Sequence, residues 1–524
     1  GRLDARRTLK SLVADLRLLF MLDDIIVKLI VITWRICRWF FLQIILMFLM
    51  PYLWADHYNG ETICLMLLYT ALYAIYWETV PKDKRLRWLF SPYFMYSGIA
   101  ILFYGLIKTW NVSVWYSFLL PIYGATCVIL VKICGKQIRR IRKKYKFGKI
   151  ITYSAVLLFF VALKSISVSW ECSKRNSSEK EDILARKDYL LGKLMVDPQV
   201  VLNEMPAAIG TQFQGEWALY SCSMLSAALV NISQLYPETK ARNIQLIDSL
   251  INIVMSPELR YYDTMRWYED PLESLDGDES HISYLSHLAW MICGYKQIGG
   301  DSKYDKLLLS LCSTMNRRLL NRSSLNLPTY PGESIYIPDM LVAIVALNQY
   351  ADMNNGKYRS TVKKWIKRAQ KEWIDDKTGL LVSFLQENGN QYEEVPVKGS
   401  YSALNCYYLT FIDETFAKQQ YETLKSLFWK DGVISGLKEY YDRTCYLGLD
   451  IDAGPILFEL SPSGTAFMTG AATYFNDLKT RNDILTTAEI AGHTVRLNCK
   501  RHYLLTNVAL VGEAIMLAMR THFK

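Results

Sequence analysis

Histidine is scarce in this chain, with only six in 524 residues, and the eleven cysteines form no Cys-x-x-Cys pair and no close Cys/His cluster. Zinc and thiol redox motifs are therefore not indicated. The sequence also lacks a Gly-x-Ser-x-Gly elbow, a phosphate-binding P-loop, a His-Glu-x-x-His helix and a dinucleotide-binding glycine pattern. These gaps argue against serine hydrolases, ATPases, zincins and NAD enzymes, and no cofactor or metal is expected. Alternating β-type hydrophobicity is rare too; only 379–396 suggests a hairpin. The net charge of +10 is not a nucleic-acid footprint. Residues 1–166 hold 23 Lys+Arg against 8 Asp+Glu, and 167–524 hold the other 37 against 42. The basic excess thus belongs to the first third, while the remainder is slightly acidic.

What the first third does have is long apolar runs. A basic amphipathic lead, 1–38, with Trp34 near its end and Trp39 directly after it, suits a membrane surface. Five apolar stretches follow, at 39–55, 62–77, 90–108, 112–133 and 150–168. Each approaches the ~20 residues that a helix needs to cross the hydrocarbon core. The loops between them alternate. Loop 78–89 carries Lys82, Lys84, Arg85 and Arg87, and loop 134–149 is strongly basic with no acid; loops 55–61 and 109–111 carry no basic residue. Positive loops stay in the cytoplasm. An integral membrane protein with five spans is expected, its N-terminus cytoplasmic and its C-terminal domain extracytoplasmic. Few charges fall within the spans, so they read as an anchor in membrane lipid rather than a transporter.

Residues 169–188 are polar and aperiodic and read as a linker. From 189 to 524 the chain reads as an all-α domain. Helices are expected at 183–196, 215–235, 239–255, 280–298, 302–320, 339–352, 357–375, 399–413, 415–430, 463–476, 480–496 and 501–520, from apolar residues at three- and four-residue spacing. Six helical hairpins repeating at roughly fifty residues suggest an (α/α)6 toroid with one central funnel.

The stretch Asp278-Glu-Ser-His281-Ile-Ser-Tyr284-Leu-Ser-His287-Leu288 stands out. Its two imidazoles and one phenol recur every third residue along one helix, a supply of proton donors and acceptors near neutral pH. With Gly294-Tyr295 and Gly299-Gly300 behind it, this segment resembles the linalool dehydratase/isomerase family. The likeness runs over roughly 210–430. It includes the aromatic stretch around Trp267, the Tyr330-Pro331 loop, Trp365-Ile366 with Trp373-Ile374-Asp375, and Gly399-Ser400-Tyr401. The resemblance implies an α/α toroid and acid–base dehydration or isomerisation of an alcohol. It also implies catalytic roles for His287, Tyr284 and Tyr401, with Tyr220 matching a further site Tyr. Where that family carries a cysteine pair, this chain has Tyr330 and Asp339. Terpene alcohol is therefore not the implied substrate.

Asp339 reads either as a helix N-cap worth ~1 kcal/mol or as a general acid or base. Glu333, six residues away, would be its partner, replacing the missing thiols in chemistry suited to a glycosidic bond. Asp450 and Asp452 sit in a turn-rich loop as candidate substrate contacts. His281, Tyr220, Trp267, Tyr330 and Tyr336 are the other candidate binding residues. The expected enzyme acts by elimination, isomerisation or hydrolysis at a hydroxylated carbon. A cell-envelope glycan or glycolipid is the leading substrate class. Two alternatives stay open: a lyase or isomerase for an isoprenoid or other lipid alcohol, and a non-catalytic envelope assembly protein.

Overall fold

The computed structural model describes residues 148–524, apart from 207–209, 451, 498 and 508. The basic lead and the first four expected spans lie outside the described residues. The chain divides into two compact units, Gly1–Leu163 and Lys164–Lys524.

Helix α1, Gly148–Ser177, includes the fifth expected span and ends one residue before α2, Glu179–Leu194. The segment 169–188 is thus helical, not an irregular linker. Its charges lack periodicity because their partners are distant in sequence. Asp182 accepts from Arg520 at 2.6 Å, and Arg186 pairs with Glu513 at 2.7 Å, all four side chains being buried.

Thirteen further helices follow. They are α3 (Pro198–Asn203), α4 (Thr211–Leu235), α5 (Lys240–Val254), α6 (Pro257–Trp267), α7 (Ile282–Gln297), α8 (Asp305–Leu320), α9 (Ile337–Met353), α10 (Arg359–Glu372), α11 (Gly399–Leu409), α12 (Glu414–Phe428), α13 (Pro462–Tyr474), α14 (Leu478–Gly492) and α15 (Leu510–Arg520). All twelve helices expected from periodicity are present; the Pro-initiated α3 and α6 were not anticipated. Starts are set by local chemistry. Ser256, Asp413, Ser461 and Asp477 each accept a backbone N–H of the first turn. The fold is all-α, with 63% of residues 157–524 helical.

Two kinds of helix alternate. In α10 only Thr361, Val362, Trp365, Ile366 and Ala369 are buried, and lysines cover the other side. That single stripe marks a helix with one face on the core. By contrast α7 is buried all round from Ile282 to Tyr295, as are most of α9 and α11. These interior helices form a circuit: α4 packs on α7, α7 on α9, α9 on α11, α11 on α13, α13 on α15, and α15 on α4. They run in one direction. Asn231 near the end of α4 donates to Ala518 O near the end of α15, Asn348 of α9 donates to Phe411 O beyond α11, and the starts of α11 and α13 meet at Ser400 and Gly464. The helices between them lie outside and run back. Among the described residues only α4 is long and apolar enough to cross a membrane, and it is mostly buried.

Strands are short and paired two by two. β1 (Ile335–Tyr336) pairs with β2 (Phe384–Leu385), β3 (Trp429–Lys430) with β4 (Gly436–Leu437), β5 (Gly448–Asp450) with β6 (Gly454–Ile456), and β7 (Thr494–Leu497) with β8 (Lys500–Tyr503), all antiparallel. The hairpin expected over 379–396 is reduced to one bridge, Leu385 with Gln391, because β2 pairs with β1 instead. The last two expected helices are trimmed by β7 and β8. The first three pairs gather at the starts of α9, α11 and α13.

Candidate functional site

Asp339 lies in the first turn of α9, after Pro338, and its carboxylate does not cap the helix. It accepts a hydrogen bond from the Tyr220 hydroxyl at 2.8 Å through Oδ1 and from Thr329 Oγ1 at 2.7 Å through Oδ2. Three elements thus converge on one carboxyl: α4, the loop before β1, and α9. Burial pushes Asp339 up to about 6; the two hydroxyl donors oppose this, and the charges of Asp452 and Glu333 add to it.

Glu216 stands one turn before Tyr220 on the same face of α4. It is half-buried. Its carboxyl is pushed up to about 8, first by desolvation and then by repulsion from Asp339, with hydrogen bonding from Tyr330 and the charge of Arg266 pulling back. The result is two neighbouring carboxyls whose acidities are driven apart. Such a pair at neutral pH is one acid and one base.

Around this pair stand the other expected groups. Arg266, at the end of α6, donates to Glu333 Oε1 at 2.9 Å and lies over the Tyr330 ring at 4.1 Å. Tyr336, the residue before α9, donates to Glu333 Oε2 at 3.4 Å. Its ring is 6.1 Å from that of Tyr401. The Tyr401 hydroxyl donates to Asp452 Oδ2 at 2.8 Å. Lys398 bonds Asp450 at 2.6 Å and comes within 3.9 Å of Asp452. Asp450 also holds its own turn by accepting from the backbone N–H of Asp452 and Ala453. Asp452 is 42% exposed, so water damps the upward push that partial burial gives it. The start of α11 is fixed from below by the buried Glu439, which accepts from both the backbone N–H and the hydroxyl of Ser400.

The structure thus brings together Asp339, Glu333, Tyr401, Tyr220, Tyr330, Tyr336, Asp450 and Asp452. The histidine helix reaches them at His287, against Tyr220, but its side chains do not take the expected roles. Tyr284 is fully buried and its hydroxyl donates to Val254 O at 2.9 Å, so it points to α5 and leaves the site. His281 is buried between Asp263, at 2.5 Å, and Glu269, at 3.1 Å. Trp267 packs beside it with ring centroids 5.5 Å apart and is buried, not displayed at a rim. His287 lies beneath Tyr220, ring to ring at 4.4 Å, and its Nδ1 is 2.8 Å from Ser223 Oγ. Desolvation drops it to about 3, so it is a neutral imidazole at physiological pH. Among the described residues no carboxylate is hydrogen-bonded to it. Three-residue spacing turns each next side chain by ~60° about the axis, which spreads the three over separate neighbours on a helix buried all round.

Glu216, Thr329, Lys398 and Glu439 escaped the sequence reading. The available signal for Glu216 was an acid four residues before Tyr220 in an otherwise uncharged run. Two hollows lie elsewhere. One, about 20 Å³, is enclosed by the interior helices near Ser226, Trp290 and Gln349. That volume takes a water molecule and no sugar. The other, about 520 Å³, is an outer cleft beside Arg368, Glu372 and Asn390. Neither includes a member of the acid cluster. No family model matches the chain, and no curated protein matches it.

Proposed function

We propose that this is a membrane-anchored extracytoplasmic enzyme built on an (α/α)6 toroid, and that its acid cluster cleaves a glycosidic bond in a cell-envelope glycan or glycolipid. Glu216, protonated at neutral pH, serves as general acid to the leaving oxygen. Asp339, ionised above about pH 6, serves as general base. Tyr220 and Thr329 orient the base, and Tyr336 and Tyr401 with Asp452 contact the sugar hydroxyls. His287 supports Tyr220 from below and moves no proton.

The observation that carries this reading is the grip of Tyr220 and Thr329 on Asp339, one turn from Glu216. The order of the helices and their common direction support the toroid. The basic and apolar alternation of the first third supports the anchor and its orientation. The likeness to linalool dehydratase/isomerase enzymes is proposed at the level of fold and site location, with carboxylates in place of the cysteine pair. The test is incubation of the purified full chain with envelope glycan and glycolipid fractions, reading new reducing ends. Glu216→Gln and Asp339→Asn are run beside it. Release by the wild type alone supports the reading; equal release by both variants overturns it.

A further inference from the structure

The face carrying the acid cluster has a second property. The chain enters the described unit there. Lys164 of α1 donates to Glu489 O at 3.1 Å and lies 3.2 Å from His493 Nδ1, at the finish of α14. Glu179, following α1, reaches Arg481 at the beginning of α14 and Arg520 at the finish of α15. So residues 164–179 descend from the face where the interior helices start to the face where they end. Upstream of residue 148 the sequence holds four of the five apolar runs of spanning length.

That same face displays apolar side chains with no cover. Leu447, Leu457 and Phe458, flanking β5 and β6, are 62%, 57% and 68% exposed. The β3–β4 and β5–β6 hairpins are tied together. Lys430 pairs with Glu459 at 2.5 Å, and the Glu459 N–H donates to Tyr446 O at 2.7 Å. Beside the tips Arg443 lies over the rings of Tyr440 and Tyr446, at 3.8 and 4.9 Å. Among the described residues no carboxylate pairs with Arg443. Aliphatic and Phe tips backed by Tyr and an unneutralised Arg match the depth order of a bilayer surface: acyl chains, then the aromatic belt, then anionic headgroups.

We propose that these hairpins seat the acid-bearing face on an anionic lipid bilayer. The consequence for substrate rests on the function proposed above: the glycan cleaved is one carried on a lipid anchor, delivered from the membrane surface and not from bulk solvent.

Spin labels test the seating in the full chain, reconstituted in vesicles of phosphatidylcholine and phosphatidylglycerol. Phe458→Cys and Met353→Cys are labelled separately, with all native cysteines changed to Ser. Met353 lies exposed at the finish of the interior helix α9, on the far side. The ratio of oxygen to nickel-chelate collision is expected to be several-fold higher at 458 than at 353. As a control on the cysteine-free background, hydrogen exchange is also followed in the unaltered chain. Amides 444–448 and 457–459 are expected to slow in the vesicles relative to amphipol. Equal collision ratios, or equal exchange in the two media, overturn the proposal. Seating is read without turnover. Seating with full activity in Asp339→Asn would leave this inference standing and remove the acid cluster; the reverse pattern would do the opposite.

Discussion

Replacing Asp339 with Asn separates what the site costs from what it does. In the fold the carboxyl is held up from 3.8 to about 6. The fold therefore prefers it protonated. Stability from that preference is complete below pH 3.8 and is lost as pH rises through about 6. Keeping Asp339 ionised at pH 7.5 costs about 3 kcal/mol by linkage. Asn is neutral throughout, so the variant escapes this cost. It loses an acceptor for one of the two hydroxyls that hold the carboxylate, a penalty of roughly 1 kcal/mol that does not change with pH. The variant's thermal midpoint, measured against wild type in the same vesicles, is thus expected to rise relative to wild type between pH 4 and pH 7.5. Turnover should fall on the order of 10²- to 10⁴-fold near pH 7, where the wild-type base is ionised, as removal of a general base does. A midpoint difference that stays constant with pH would refute the buried, uphill carboxylate on which the site is argued.

The remaining expectations concern the partners and the frame. With Asp339 at about 6 and Glu216 at about 8, turnover should peak between those values, and Glu216→Gln should abolish the alkaline limb along with most of the rate. Gly399→Ala places a methyl 2.0 Å from Lys438 O and should displace Tyr401 and Lys398, lowering both midpoint and rate, whereas Gly512→Ala meets nothing within 4 Å and should be neutral. Tyr284→Phe should lose about 1–3 kcal/mol of stability through the stranded Val254 carbonyl and leave the pH–rate profile unchanged. Arg186→Ala takes the cationic partner from the buried Glu513, while Asp182 keeps Arg520, and should cost about 3–5 kcal/mol, seen as a large drop in midpoint.

The helices were legible because their apolar spacing is local, and eleven of the twelve segments were placed within a few residues; the last, expected from 501, begins at Leu510. The interior ones differ from the outer ones only in being apolar on every side, a difference that periodicity does report. Asp339, Glu333, Tyr336 and Tyr401 were legible because each sits at the start of a helix whose partners also start at one face. His281, Tyr284 and His287 misled for a physical reason. An imidazole or phenol in a buried helix is satisfied wherever a partner happens to lie, and here those partners are Asp263, the Val254 carbonyl and Ser223. Glu216 carried only a faint signal because its importance comes from Asp339, more than a hundred residues away in sequence. The segment 169–188 hid for the same reason, its charges answering to Arg481, Arg501 and Arg520.

Closure of α15 onto α4 ties the order of synthesis to the fate of the chain. Helix α4 is 25 residues long and has a spanning helix's length and polarity. The helix that covers it, α15, is made well after it. Until then the domain carries a segment of the length and polarity of a further crossing. Gln212, Gln214 and Glu216 set polar side chains at its leading end, where a crossing would have to bury them.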